Sequence, residues 1–180
     1  KLKLKSKKII MKKLILTITT AALVLFTANT NAQNKDIVDI AASSKSFSTL
    51  VTAVKAAGLV EALKSEGPFT VFAPTNDAFA KIDANTLGSL LKPENKGKLT
   101  RILTYHVIKG KLTAKDVVAA LKKGKGKVTL TTLSGSKITV VQNDKGIWLK
   151  DANGNYSMIS KTDIMASNGV IHVIDSVVMP

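Results

Sequence analysis

The sequence predicts an α+β domain, and three observations carry that prediction. Apolar residues recur at helical spacing through the first half, from Asp36 to Leu121. From Lys127 onward the period switches to two. Turn signals then punctuate the second half: Ser134-Gly135, Asp144-Lys145-Gly146 and, strongest of all, Asn153-Gly154. Helices followed by an antiparallel meander differ from the alternating pattern that builds parallel sheets.

The elements follow in order. Asp36–Ala42 reads as a short helix with Ile37, Ile40 and Ala41 on one face. Ser46 is the expected cap of a second helix, in which Phe47, Leu50, Val51 and Val54 share a stripe and which Gly58 stops. Leu59–Lys64 adds a further helical turn or two, and Gly67-Pro68 breaks the chain. Phe69–Phe72 is a strand ended by Pro74, and Thr75 or Asn76 can cap a short helix through Phe79. Leu87, Leu90 and Leu91 suggest another short helix. Leu99, Ile102, Leu103, His106 and Val107 form the stripe of a longer one, closed by Gly110. Thr113 caps a helix bearing Val117, Val118 and Leu121, which ends at Gly124. Strands are expected at 127–133, 137–142, 146–150, 156–160 and 170–174.

Residues 1–32 stand outside this pattern and read as an upstream extension plus a secretory signal peptide. Met11-Lys12-Lys13 is a positive n-region, and Leu14–Phe26 is an apolar run of 13 residues broken only by threonines. Thr30 and Ala32 supply the small residues before a cut site, so cleavage is expected after Ala32. The run falls short of the ~20 residues a membrane span needs. Residues 1–10 read as translated upstream sequence with Met11 as the start, or else as an extended n-region. Residues 33–180 then form one domain, exported to the periplasm, cell surface or extracellular space.

Composition removes several function classes. The 180 residues contain no cysteine, which excludes disulfide frameworks, thiolate nucleophiles, zinc fingers and iron–sulfur clusters. Aromatics are 4% of the chain, too few for a stacking platform, so no specific nucleic acid is expected as a partner. The formal charge is +15, but seven lysines of the leader account for part of it, and residues 33–180 carry +8. The densest basic run there is Lys122, Lys123, Lys125 and Lys127, a candidate polyanion-binding face. Gly-x-Ser-x-Gly, His-Glu-x-x-His and the P-loop pattern are all missing. Asp151-Ala-Asn153-Gly-Asn155 starts like a calcium loop, but Tyr156 and Thr162 stand where glycine and glutamate are required. A hairpin turn explains that segment. The reading is therefore of a protein without catalytic residues, metal site or cofactor.

Two segments carry a resemblance, and a third lies between them. Gly67-Pro-Phe-Thr-Val-Phe-Ala-Pro-Thr-Asn-Asp-Ala-Phe79 resembles the first signature of fasciclin domains. Asn168-Gly-Val-Ile-His-Val-Ile-Asp175 resembles the second, and Leu103-Thr-Tyr-His-Val-Ile-Lys-Gly110 resembles the family's Tyr-His segment. The three occur in the family's order and span the mature chain. The resemblance implies a secreted, bacterial-type single fasciclin domain, with an antiparallel β-wedge packed against short helices. It implies adhesion or protein interaction without an established catalytic activity. In animal members, integrin contacts are assigned near the Tyr-His segment and to an Asp-Ile pair. The matching positions here, Tyr105, His106, Asp163, Ile164 and Met165, are the candidate partner-binding residues.

The residues also have readings of their own. His106 lies on the apolar stripe and is expected in the core, whereas Tyr105 on the next face is expected to be more exposed. His172 should face away from Ile171 and Val173, toward the side of Val170 and Ile174. Asp163 is expected in a loop, above a packed Ile164. The expected partner is a cell-surface or matrix protein or polysaccharide, bound by a monomer, with membrane contact only through an uncleaved leader. Two alternatives are an apolar-ligand carrier, for lipid or carotenoid, and a binder of acidic matrix polymers through the lysine face.

Overall fold

A computed structural model describes residues 35–180. The expected leader, its start at Met11 and its cut after Ala32 lie outside the described residues. Six helices precede or flank the first two strands: α1 (Ile37–Ser43), α2 (Ser48–Ala57), α3 (Val60–Lys64), α4 (Asn76–Ala80), α5 (Ala84–Leu90) and α6 (Lys96–Tyr105). Asp36 caps α1 through the Asp39 N–H at 2.8 Å, and Asp39 reaches back to the Asp36 N–H. Lys64, at the end of α3, ties both carboxylates at 2.8 and 2.7 Å.

Ser46 does not cap α2. A 3₁₀ turn over Lys45–Phe47 leads into the helix, and the cap comes from a distance. Asn76 accepts the Thr49 N–H at 3.0 Å and holds the Lys45 carbonyl at 2.9 Å through its amide. Gly58 ends α2 with φ +71°, a left-handed conformation that suits glycine. Thr75 caps α4 and Asp83 caps α5.

The stripe from Leu99 does not continue as a helix to Gly110. Helix α6 stops at Tyr105, and Val107–Lys109 forms a strand, β2, against β1 (Phe69–Pro74). Two β-branched residues, Val107 and Ile108, bury both faces of that short strand. Thr113 then opens α7 (Ala114–Lys123) with a reciprocal capping box to Asp116.

Five further strands complete the sheet: β3 (Lys127–Thr131), β4 (Lys137–Asn143), β5 (Gly146–Lys150), β6 (Tyr156–Ala166) and β7 (Gly169–Ile174). Their order is β2-β1-β7-β6-β5-β4-β3. All neighbours are antiparallel except β1 and β7, which pair in parallel from Phe69↔Gly169 to Pro74↔Ile174. The sheet curls until its ends meet: the turn after β3 donates Leu133 N–H to the Val107 carbonyl at 2.7 Å.

The β1–β7 pair is the centre of the fold because both its faces are covered. Val71, Ala73, Ile171 and Val173 pack toward the helices with Phe47, Leu50, Leu99 and Leu103. Phe72 and Ile174 point into the wedge with Ile138, Val140, Leu149 and Leu121. Burying a side chain such as Phe72 stabilises by roughly 1.5–3 kcal/mol.

Candidate interaction surfaces

Tyr105 is not exposed. It sits inside the wedge with none of its surface open, and its hydroxyl donates to the Lys137 carbonyl at 2.9 Å. His106 is buried as expected. Its Nδ1–H donates to the Ile102 carbonyl at 2.8 Å, and its Nε2 accepts the Val178 N–H at 3.2 Å. Those two partners select the neutral tautomer. Burial, opposed only by the Ile102 bond, lowers its pKa to about 4. Neither side chain of this pair reaches the surface, so a partner would meet only what they support.

His172 faces the wedge side, stacked near Phe72 with ring centroids 5.8 Å apart. Its Nε2 lies 2.8 Å from the Leu112 carbonyl, and its Nδ1 accepts the Asp163 N–H at 3.3 Å. Asp163 is not in a loop. It lies within β6, where the register shifts between Lys161 and Ile164, and its φ is +58°. The shift is a bulge that lets β6 run on to Ala166, six residues past its expected end. The Asp163 carboxylate accepts the Ala114 N–H at 2.8 Å, at the first turn of α7. That places a negative charge at the positive end of a helix. Ile164 packs against the helical core, and Met165 is left 46% exposed.

The four lysines gather at the other end of α7. Lys122 and Lys123 occupy its last turn, Lys125 sits in the turn that follows, and Lys127 opens β3. All four are exposed, and no ion pair holds any of them among the described residues. The turn itself is rigidly bonded. Gly124 N–H reaches the Ala120 carbonyl and Gly126 N–H the Leu121 carbonyl, both at 2.8 Å. A Cβ on Gly124 would stand 2.0 Å from the Lys127 carbonyl oxygen, so only glycine fits. Lys125 has φ +53°, a conformation that costs an ordinary side chain roughly 1–2 kcal/mol.

Asp151 spends its carboxylate inside the fold. It accepts the Asn155 N–H at 2.8 Å and the Asn155 side-chain amide at 3.3 Å within the hairpin turn, and the Met179 N–H at 3.1 Å from the C-terminal segment. The apolar space between α1–α3 and the sheet, lined by Ile37, Val54, Leu63, Val71 and Leu103, measures about 40 Å³. Sites for drug-sized ligands run to ~300–1,000 Å³. A lipid or carotenoid would have to part the helices from the sheet.

The three familiar segments now have a place. The first signature is β1, the Thr75 cap and α4; the second is β7 and the turn before it. The family model of the fasciclin domain matches residues 45–180. The chain belongs to the fasciclin domain family. A Synechocystis protein, sll1483, is 51% identical over 144 residues, which cover 80% of this chain and 73% of that one. Immunogenic protein MPB70 of Mycobacterium bovis is 34% identical, covering 85% of this chain and 74% of its own length. Transforming growth factor-beta-induced protein ig-h3 of Sus scrofa is 35% identical over 80% of this chain, which spans 19% of that protein. Among solved structures, a FAS1 domain pair from the insect cell adhesion molecule fasciclin I superposes with a TM-score of 0.53 at 19% identity. The match covers 72% of this chain and 45% of that one.

One structural clamp of this fasciclin domain escapes a local reading of its sequence. Asn168 looks like a turn residue before Gly169. Its side chain in fact accepts the Ile37 N–H at 3.0 Å and donates to the Leu63 and Ser65 carbonyls at 2.8 and 3.1 Å. It thereby joins α1, α3 and the β6–β7 turn. The partners lie more than 100 residues away in sequence, and only the polar type of residue 168 hints at them.

Proposed function

We propose that this protein is an exported, non-catalytic interaction module of the adhesion type. In this reading it binds a cell-surface or matrix protein through the strip that the β6 bulge presents. The observation that carries it is Met165, a large apolar side chain 46% exposed beside the bulge. Asp163 serves this strip indirectly, because its carboxylate and N–H are committed to α7 and His172. The buried polar groups also fit a binding role rather than chemistry. No buried side-chain nitrogen or oxygen among the described residues lacks a protein partner, so none is held in reserve for a substrate. The matched FAS1 domain pair comes from an insect cell adhesion molecule, which supports the same reading.

The test is Met165→Glu in the full chain, assayed for saturable binding to washed cells of the source organism. Binding should fall at least tenfold while the melting temperature holds. Equal binding by wild type and variant would refute the assignment. Asp163→Ala is the wrong probe, because losing the bond to α7 would confuse folding with binding.

A further inference from the structure

The surroundings of the lysine cluster narrow what could bind there. Lys122, Lys123, Lys125 and Lys127 fall within six consecutive residues and project from one end of α7 and the start of β3. The adjoining β4–β5 turn adds Lys145, whose neighbour Asp144 is the one acid in that turn. Two of the cations have an internal use: Lys122 and Lys123 complement the negative end of the α7 dipole. Lys125 and Lys127 do not.

Lys125 is the informative residue. Among the described residues only two besides glycine have positive φ, Lys125 and Asp163. Asp163 repays that conformation with two hydrogen bonds inside the fold. Lys125 sits between Gly124 and Gly126, at a position where a third glycine would be less strained, and its side chain makes no hydrogen bond or ion pair among the described residues. A strained residue that the fold does not use points to a role outside the fold. The surrounding backbone bonds hold the turn fixed, so the cations are displayed on a rigid support.

We propose that this end of the domain binds an acidic polysaccharide, a carboxylated or sulfated chain read by charge. The other polyanions fit less well. Large exposed apolar side chains among the described residues are Leu133, Tyr156 and Met165, and none lies within the cluster to enter a bilayer. The aromatic on this face, Trp148, lies two strands from Lys127 across Val141, half-buried with its indole N–H tied to Asn143 at 3.1 Å, and one such ring is no stacking platform for a run of bases. The surface is also separate from the β6 bulge. The ten residues of α7 hold the two about 15 Å apart.

The experiment uses the full chain, with dextran sulfate and polygalacturonate as probes and vesicles containing phosphatidylglycerol alongside. The patch variant carries Lys122→Gln, Lys123→Gln, Lys125→Gln and Lys127→Gln. A control removes four scattered lysines instead, by Lys55→Gln, Lys92→Gln, Lys98→Gln and Lys161→Gln. Both keep the lysines of the leader and have equal net charge. The patch variant should bind at least one of the two polysaccharides about tenfold or more weakly. Its salt dependence should also be shallower, by roughly one unit of slope for each lysine that pairs with an anionic group of the polymer. The control should lose less than threefold. Equal losses in the two variants would overturn the proposal, since net charge alone would then explain binding. So would binding to vesicles with neither polysaccharide bound. Lys125→Gly is the second variant, expected to weaken binding with no fall in melting temperature; unchanged binding there would remove Lys125 from the site. Met165→Glu should bind the polysaccharides normally, which separates failure here from failure of the bulge reading.

Discussion

Acidification from pH 7 to 5 is expected to cost this domain about 2 kcal/mol through His106 alone. The imidazole is buried with both ring nitrogens committed, and its folded pKa is about 4 against 6.5 for the free side chain. Protonation at Nε2 would oppose the Val178 N–H donor and leave a charge in the core. The unfolded chain therefore binds more protons than the folded one between those two values, and stability falls as pH falls. The loss is nearly absent above pH 6.5 and is complete below the folded pKa. Integrated from pH 7 to 5, the linkage gives about 2 kcal/mol. Carboxylates interfere little in this window. Asp39, Asp83, Asp116 and Asp175 have lowered pKa values in the fold, and their unfolded value of 3.8 keeps them ionised at pH 5 in both states. Urea unfolding at the two pH values, for wild type and His106→Gln, measures the effect. The variant is less stable at pH 7 but should lose about 2 kcal/mol less than wild type on acidification. Parallel losses in the two proteins would refute the reasoning.

Two further predictions concern the second signature. Asn168→Ala removes three hydrogen bonds at about 1 kcal/mol each, which is expected to destabilise by roughly 3 kcal/mol and lower the melting temperature by roughly 6–12 °C. A shift under 2 °C in calorimetry would show that the turn holds α1 and α3 without it. Gly169→Ala places a Cβ 2.1 Å from the Phe69 carbonyl oxygen and 2.9 Å from Ile37 Cδ1, so the parallel β1–β7 pair must open and the domain should fail to accumulate in soluble form. Gly88→Ala, in α5 with open space around it, is the contrasting change and should stabilise by about 0.5–1 kcal/mol.

What the sequence reveals here depends on how far apart the interacting groups lie. The Thr75 and Thr113 caps act on backbone three residues away, and the chain shows them directly, Thr75 as one of two candidates beside Asn76. Strands β3, β4 and β5 pair with their sequence neighbours, so alternation and turn residues are enough there, whereas the bulge that carries β6 on to Ala166 and the parallel pairing of β7 with the distant β1 leave no such local mark. Helix α2 is capped by Asn76, 27 residues on, and the local choice of Ser46 fails for that reason. Strand β2 follows α6 without a break in apolar spacing; only pairing with β1 turns Val107 and Ile108 from helix to strand. The same distance rule governs the candidate sites. The lysine run is visible as a run, but the left-handed turn at its centre is not. Tyr105 shows the reverse error, since helical phase put it outside and the curled sheet closes over it.

The two ends of α7 divide the molecule's polar residues by purpose. At the first turn, Asp163 accepts an unfavourable φ, and the fold recovers the cost through the Ala114 and His172 bonds. Aspartate suits such a position because its short carboxylate reaches nearby backbone. At the last turn, lysine lacks that option: its ammonium is a donor on a long stem and cannot satisfy a backbone N–H. Glycine at residue 125 would serve the turn at lower strain, as Gly124 and Gly126 serve it on either side. Replacing Asp163 should therefore damage the fold, whereas replacing Lys125 with glycine should spare it. If both substitutions lowered stability alike, Lys125 would have a structural role and the argument for a ligand at that turn would fail.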